Sequence, residues 1–237
     1  MNAEVKMLDW DTAFFGFPVA RLTASRPDAE ALARVNTACR AQRVRCLYAL
    51  VDAGDADVLR RLESDGYRFA DIRVTLRQSP RGEAPLSAHT CRRAGAGDVA
   101  ALREIAAVSH TDSRYFRDPG FDRARCAELY ATWIEKSVGG YEDAVWVAEH
   151  EGRVAGYITC ARKPEGIGQI GLFAVAGEAQ GLGLGTALVR QALAWFVAEG
   201  CAPVDVVTQG CNARAQQVYQ RAGFVTARTE IWMHKWF

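Results

Sequence analysis

Residues 180–185 read Gln-Gly-Leu-Gly-Leu-Gly (QGLGLG), with an apolar run (LFAVAG, 172–177) before them and a helix-like run (186–200) after them. A strand, a glycine-rich turn and a helix in this order bring free backbone N–H groups and the positive end of the helix dipole to one point. Glycine keeps side chains away from that point and allows unusual dihedral angles. The stretch therefore predicts an anion site, the alternative being a turn whose glycines serve only tight packing.

Two well-known phosphate loops do not fit these glycines. The P-loop requires Lys followed by Ser or Thr after its last glycine, whereas Thr186 follows Gly185 directly. The dinucleotide-binding fingerprint requires the spacing G-x-G-x-x-G after a first strand, whereas Gly181, Gly183 and Gly185 are each two apart. The anion is therefore expected to belong to another class of ligand.

The composition restricts the class of protein. The 237 residues are 49% hydrophobic and 24% charged with a net charge of +1, which favours neither nucleic acid nor a membrane surface as partner. Seven scattered cysteines without a C-x-x-C pair predict reduced thiols, and no metal is expected. Because no basic head with an apolar segment opens the chain, and no later stretch has 18 uncharged apolar residues, we expect a cytoplasmic protein.

Hydrophobic periodicity and turn residues predict a mixed α/β chain in two parts. Residues 1–80 are expected to form a small N-terminal α/β domain, residues 81–89 a Ser-, Pro- and Gly-rich linker, and residues 90–237 a larger second domain. The first domain is predicted to have strands at 19–22, 45–51 and 68–76 and helices at 28–42 and 56–65. The second is predicted to have helices after Asp98 (as N-cap), at 123–138, at 183–199 and from Asn212, and strands near 90–92, at 144–150, 153–162, 167–175 and 204–209, and after Phe224.

The spacing Q-x-x-G-x-G, formed by Gln180, Gly183 and Gly185, resembles the acetyl-coenzyme A pyrophosphate loop of the GNAT (Gcn5-related) N-acetyltransferases. Residues 212–224 (NARAQQVYQRAGF) resemble the second signature of that family, an Asn, a helix with a Tyr, and then Gly-Phe. The resemblance covers 90–237 and keeps the order of elements. It implies a GNAT acetyltransferase fold after the smaller N-terminal α/β domain, with acetyl-coenzyme A as cosubstrate.

The resemblance also implies roles for individual residues. Tyr219 is implied as the general acid, since a phenol with a pKa near ~10 stays protonated at neutral pH and can donate to a thiolate of pKa about 8.5. The alternative for Tyr219 is an aromatic side chain packed on the apolar face of its helix. The implied cofactor-binding residues are Leu172, Phe173, Ala174 and Val175 along the pantetheine arm, Gln180, Gly181, Leu182, Gly183, Leu184, Gly185 and Thr186 around the pyrophosphate, and Asn212 beyond them.

The sequence names no obvious base for the attacking amine. Gln169 stands where some members of the family carry Glu, and an amide cannot titrate. His110 and Asp112 are candidates, although His110 is equally typical of a histidine at a helix end. A weakly basic amine could also lose its proton through ordered water.

The acceptor is indicated by segments outside the glycine-rich region. The stretches 10–22, 113–121 and 128–138 together resemble the dTDP-fucosamine acetyltransferases, which acetylate the 4-amino group of dTDP-4-amino-4,6-dideoxygalactose. This implies a nucleotide-activated amino sugar as substrate, for surface polysaccharide biosynthesis. The implied substrate-binding residues are Phe14, Phe15, Arg114, Tyr115, Phe116 and Arg117, which could pair with a diphosphate and stack on thymine or sugar. The alternatives are a solvated turn at 114–117 and aromatic residues that cover the N-terminal core.

Other functions stay open at this point. The acceptor could be another amine, such as an antibiotic, a polyamine or a protein N-terminus, or the chain could be a non-catalytic module that binds coenzyme A. An intact Tyr219 disfavours the binding module, because binding alone needs no acid. In the last segment, 229–237, apolar residues face both ways, which predicts either a doubly buried strand or the interface of a homodimer.

Overall fold

The computed structural model describes residues 4–80 and 90–237. The strands are β1 (Val5–Met7), β2 (Val19–Leu22), β3 (Cys46–Asp52), β4 (Arg68–Gln78), β5 (Cys91–Arg93), β6 (Ala144–His150), β7 (Arg153–Arg162), β8 (Gly168–Val175), β9 (Val204–Gln209) and β10 (Val225–Trp236). The α-helices are α1 (Asp9–Phe15), α2 (Ala29–Ala41), α3 (Ala56–Ser64), α4 (Val99–Ser109), α5 (Arg114–Arg117), α6 (Arg123–Lys136), α7 (Leu184–Ala198) and α8 (Ala213–Arg221). The mixed α/β class predicted from the sequence is confirmed, and the predicted linker, 81–89, lies outside the described residues.

Local signals explain where most helices begin and end. Asp28 accepts a hydrogen bond from the backbone N–H of Ala31 (2.7 Å) and caps α2, and Asn212 caps α8 in the same way. Helix α7 ends before Gly200, whose φ of +70° closes the helix in the left-handed region. The segment Glu151-Gly152 forms the hairpin turn between the predicted strands β6 and β7, with φ positive at both residues.

Two local features differ from the prediction. Helix α4 does follow Asp98, but this carboxylate does not cap it. Asp98 has helical dihedral angles and instead accepts hydrogen bonds from Arg92 (2.8 and 2.9 Å) and from the N–H of Gly95 (2.8 Å). Helix α1 was not predicted, because Leu8 before it has no capping side chain and only Gly16, with φ of +78°, marks its end.

The described chain divides into two compact units. The first unit comprises the described part of Met1–Arg73 together with Ser113–Arg125 and Arg228–Phe237. Its strands follow the order β1-β2-β3-β10-β4, with β2 parallel to β3 and β10 antiparallel to β3. Its core is formed by buried side chains from strands and helices, including Leu32, Val35, Leu47, Leu62 and Met233.

The second unit comprises the described part of Val74–Asp112 together with Cys126–Ala227. Its strands follow the order β4-β9-β8-β7-β6-β5. All neighbours from β5 to β8 are antiparallel, whereas β8 and β9 run parallel. Fully buried side chains such as Leu102, Leu129, Ile158, Leu188 and Phe196 form its core. Among the neighbouring pairs from β5 to β9, β8 and β9 therefore form the one parallel pair.

Strand β10, which was predicted after Phe224, is one continuous strand. Within the first unit it lies between β3 and β4, and the neighbouring residues Met233 and His234 are both buried. These facts favour the doubly buried strand, and the homodimer stays a prediction.

The domain boundaries 1–80 and 90–237 also stay a prediction, since the compact units draw on 113–125 and 228–237 as well. No helix in the described residues is long and apolar enough to cross a membrane.

Candidate active site

Strand β8 leaves its parallel neighbour halfway along its length. It pairs with β9 at Gly168–Ile170, opposite Val204–Val206, while β9 continues to Gln209 and β8 to Val175. On its other side β8 remains paired with β7 as far as Val175. Residues 172–175 therefore present a strand edge toward the widening gap, where backbone groups can pair with an extended ligand.

A β-bulge marks the point of departure. Gly171 and Leu172 of β8 together lie opposite the single residue Thr159 of β7, and the register shifts there. The N–H of Leu172 donates a hydrogen bond to the buried hydroxyl of Thr159 (2.8 Å). The bulge thus changes the direction of the backbone groups of β8 just where the strand diverges from β9.

The glycine-rich turn joins this strand to α7. Gly181 and Gly183 have φ of +84° and +87°, and Gly183 is the N-cap residue of the helix. Among the described residues, the hydrogen-bond pattern of α7 begins at Ala187, whose backbone N–H donates to the carbonyl oxygen of Gly183 (3.1 Å). The side chain of Gln180 donates to the carbonyl oxygen of Val175 (3.1 Å) and so fixes the turn to the end of β8. The turn has the geometry of an anion site at a helix N-terminus.

Tyr219 of α8 lies against the divergent strand. Its side chain is 2% exposed, and its ring centroid is 5.6 Å from that of Phe173 and 5.7 Å from that of Phe224. Burial raises the pKa of the Tyr219 phenol, so the hydroxyl is protonated at neutral pH. Asn212 uses its side-chain oxygen to cap α8 and leaves its amide N–H groups for other partners.

The candidate bases from the sequence occupy different environments. Nε2 of His110 lies 2.9 Å from the Tyr157 hydroxyl, and burial lowers the pKa of His110 to about 4. Gln169 donates from its side chain to the carbonyl oxygens of Ile170 and Asp205, so it links β8 and β9. Asp112 is exposed. Glu142, which no motif marks and the sequence analysis did not name, lies beside Gly171.

The residues predicted to bind the acceptor lie in the first unit, and several form one aromatic cluster. The guanidinium carbon of Arg114 lies 4.1 Å from the ring centre of Tyr48 and 4.2 Å from those of Tyr115 and Trp232. Arg114 also donates to Nε2 of His234 (3.0 Å) and to the Tyr115 hydroxyl (2.6 Å). The guanidinium therefore has a structural function in this unit, and its binding of a diphosphate stays a prediction.

The other predicted acceptor residues divide between the cluster and its surface. Phe15 packs on buried Tyr115 (ring centroids 5.6 Å apart), as residues that cover the N-terminal core do. Phe14 stacks on Trp10 (5.1 Å). Phe116 is half-buried, and Arg117 is exposed. Arg117 is thus the one exposed member of the predicted set.

One group in the first unit has the donor atoms of a metal site. The ligand atoms of Cys46, Asp118 and His234 lie within 4.8 Å of one another. Nδ1 of His234 donates to Asp118 (2.6 Å), and Nε2 accepts from the positively charged Arg114. Both ring nitrogens are therefore used and a cation stands next to the site, which disfavours a metal ion.

A divergent strand, a glycine-lined helix N-terminus and a buried tyrosine together form the arrangement that the resemblance implied for an acetyltransferase. The family model described as the acetyltransferase (GNAT) family matches residues 102–224, just over half of the chain. The chain belongs to this family.

Two curated relatives carry names that point to different roles. The chain is 31% identical over 141 residues to the spore coat polysaccharide biosynthesis protein SpsD of Bacillus subtilis, covering 59% of this chain and 48% of that protein. It is 34% identical over 87 residues to the mycothiol acetyltransferase of Streptomyces avermitilis, covering 36% of this chain and 28% of that enzyme. The chain thus spans about half or less of the length of these curated relatives.

A solved structure supports the fold. The GCN5-related N-acetyltransferase from Sphaerobacter thermophilus superposes with a TM-score of 0.67 and 16% identity, covering 98% of this chain and 76% of that one. Because the identity is low, this likeness shows the shared fold and nothing about the substrate.

Proposed function

We propose that the protein transfers an acetyl group from acetyl-coenzyme A directly to the 4-amino group of a dTDP-4-amino-4,6-dideoxyhexose, for surface polysaccharide biosynthesis. One observation carries the transferase part of this proposal. The free edge of β8 at 172–175 lies between the glycine-lined N-terminus of α7 and the buried phenol of Tyr219. An extended thioester with a pyrophosphate at one end requires these three features in this order.

The residues of β8 and α7 fit the donor. The backbone of 172–175 would pair with the pantetheine arm, residues 180–186 would hold the pyrophosphate, and Asn212 would help to hold the arm. Side chains at Gly181 and Gly183 would be strained at their positive φ and would keep a phosphate away from the N–H groups. Acetyl-coenzyme A supplies the activated acetyl group when it is bound.

Tyr219 would act as the general acid. Because burial raises the pKa of its phenol, the hydroxyl keeps its proton at neutral pH and would donate it to the departing thiolate. Acid–base catalysis by a positioned side chain contributes typically about 10²- to 10⁴-fold to the rate. The contact of Tyr219 with Phe173 places it at the strand along which the donor is proposed to lie.

The acceptor assignment rests on different support. The relative SpsD is named for polysaccharide biosynthesis, and segments 10–22, 113–121 and 128–138 resemble the dTDP-fucosamine acetyltransferases. Arg117 and Phe116 are accessible enough to meet a nucleotide diphosphate and a sugar face. The scattered cysteines, which contain no C-x-x-C pair, support a reducing, cytoplasmic location.

A second acceptor class is favoured by the matches to mycothiol acetyltransferases. The two acceptors can be separated by ranking kcat/KM for dTDP-amino sugars, the amine precursor of mycothiol, polyamines and peptides at one concentration of acetyl-coenzyme A. The proposal predicts the highest kcat/KM for a dTDP-4-amino sugar. A preference of tenfold or more for any other amine would reassign the acceptor and leave the acetyltransferase assignment in place.

A further inference from the structure

Glu142 is a carboxylate that no motif accounts for, and it faces the β-bulge of β8. It lies between the π-helical turn Ser137–Tyr141 and β6. A Cβ atom at Gly171 would lie 3.4 Å from Oε1 of Glu142 and only 2.5 Å from the hydroxyl oxygen of Thr159. The absence of a side chain at Gly171 therefore keeps open the space between the carboxylate and the backbone of β8.

The carboxylate of Glu142 is incompletely paired. Its Oε2 atom is buried and has no hydrogen-bond partner among the residues that the structure describes. A buried acceptor without a donor costs free energy, which a donor brought by a ligand would recover. An ammonium or amine group is such a donor, because it presents several N–H bonds to a carboxylate.

Burial and the neighbouring charges make the carboxylate of Glu142 more basic than that of an ordinary glutamate. Burial raises the pKa of Glu142, and the negative charge of the neighbouring Asp143 raises it further. Lys163 opposes these effects with its positive charge. The thiol of Cys160, on β7, also interacts with Glu142, but burial raises its pKa so far that it stays neutral. A base whose pKa approaches the working pH transfers protons efficiently.

The position of Glu142 matches the reacting end of the proposed donor site. The pyrophosphate site lies beyond Val175, so an arm running back along β8 brings its thioester toward Leu172 and Gly171. Phe173 faces Gly185 and Tyr219, whereas Gly171 faces Thr159 and Glu142. The acid and the carboxylate thus approach the same part of β8 from different directions.

We propose that Glu142 is the general base that takes a proton from the acceptor amine; this inference rests on the proposed function. Gln169 of β8 has no titratable group and so provides no base. The carboxylate of Glu142, from the segment before β6, reaches the same strand and takes that role.

The proton transfers balance as follows. The acceptor arrives as an ammonium ion and gives one proton to Glu142, and its nitrogen then forms a bond to the thioester carbonyl carbon. The carbon–sulfur bond breaks, and the departing thiolate takes the phenolic proton of Tyr219. The second proton of the nitrogen returns to the tyrosinate, and Glu142 releases its proton to solvent. The products are the amide, coenzyme A and one proton.

The placement of Glu142 can be tested without knowing the acceptor. The glutamate carboxyl carbons are labelled with ¹³C, and the resonance of Glu142 is assigned by its loss in Glu142→Gln. This resonance is then followed in a pH titration with and without acetyl-coenzyme A. We expect it to titrate above the range of an ordinary glutamate and to shift when acetyl-coenzyme A binds. A resonance that is unchanged by saturating acetyl-coenzyme A overturns the placement.

The catalytic role is tested with the best amine of the acceptor panel. Glu142→Gln is expected to lower kcat by about a hundredfold or more, to remove the acidic limb of the pH–rate profile, and to leave the Kd of acetyl-coenzyme A unchanged. Glu104→Gln, at an exposed glutamate of α4, is the matched control. A Glu142→Gln variant as fast as the wild type overturns the assignment. If the wild type acetylates no amine, the proposed function fails, and the resonance still decides whether Glu142 lies at the thioester.

Discussion

The ring of Tyr219 lies 5.6 Å from the ring of Phe173, and this contact brings the signature helix α8 to the strand that diverges from β9. The two residues are far apart in sequence, and each is explicable alone as an apolar contact. Together with the glycine-rich turn at 180–185 they define a path along β8 that ends at a phenol. The contact is therefore compatible with packing and with acid catalysis, and a variant must separate the two.

Replacing Tyr219 with Phe keeps the ring and removes the hydroxyl. We expect turnover to fall tenfold or more because the thiolate loses its proton donor, with little change in the Kd of coenzyme A. Steady-state kinetics and calorimetric titration measure these quantities. Tyr67→Phe, at a buried tyrosine of the first unit, is the control. An unaltered rate in Tyr219→Phe would leave only the packing role.

Replacing Gly183 with Leu is expected to weaken donor binding first. A side chain at φ of +87° is strained, and it would hold a phosphate away from the N–H groups of the turn. We expect the Kd of coenzyme A to rise about tenfold or more, which corresponds to roughly 1.4 kcal/mol. The control is Gly97→Leu, where φ is not positive and a Cβ atom meets no neighbour within 4 Å. Equal Kd values for the two variants would argue against this pyrophosphate site.

Arg114 is expected to support the stability of the fold, and Arg117 is expected to support binding of the acceptor. Arg114→Lys loses the planar group that lies against three rings and bonds to His234, so we expect the free energy of unfolding to fall by about 1–3 kcal/mol. Arg117→Ala, at an exposed residue, is expected to raise the KM for a dTDP-amino sugar and to leave stability nearly unchanged. Denaturant titration and kinetics on both variants check this division. An unchanged KM in Arg117→Ala would remove Arg117 from the acceptor site.

The buried histidine of β10 predicts a loss of stability in mild acid. Burial lowers the pKa of His234 to about 4, and the charge of Arg114 lowers it further, while Asp118 opposes both. The unfolded chain, with a histidine pKa near ~6.5, therefore binds more protons than the folded chain between these values. The stabilisation is complete above about pH 6.5 and is lost as the pH falls toward 4.

Denaturant unfolding between pH 8 and pH 4 measures this dependence. His234→Asn is expected to reduce the slope of unfolding free energy against pH, to which one group contributes at most about 1.4 kcal/mol per pH unit. His150→Gln, at a half-exposed histidine, serves as the matched control substitution. A slope that is unchanged in His234→Asn would show that this histidine is not kept neutral by the fold.

The sequence predicts those features that depend on neighbouring residues. The caps Asp28 and Asn212, the turn Glu151-Gly152 and the glycines that open and follow α7 are local signals, and the elements beside them appear where predicted. Asp98 shows the limit of such signals, because Arg92 competes for its carboxylate and provides charged hydrogen bonds.

Features that depend on distant pairing could not be predicted. Arg114 and His234 are 120 residues apart, and only the pairing of β10 with β3 brings His234 and Tyr48 together in the aromatic cluster. Glu142 and Gly171 belong to different segments, and no spacing links them. The glycine-rich turn therefore predicts the donor class, whereas the aromatic cluster and the proposed base depend on contacts that only the folded chain reveals.

The most direct test of the account is the release of free coenzyme A thiol by the wild-type protein with acetyl-coenzyme A and a dTDP-4-amino-4,6-dideoxyhexose. The account predicts thiol release that requires the amino sugar and equals the amount of N-acetylated sugar detected by mass spectrometry. Absence of acceptor-dependent release with this sugar and with every other amine of the panel would contradict it.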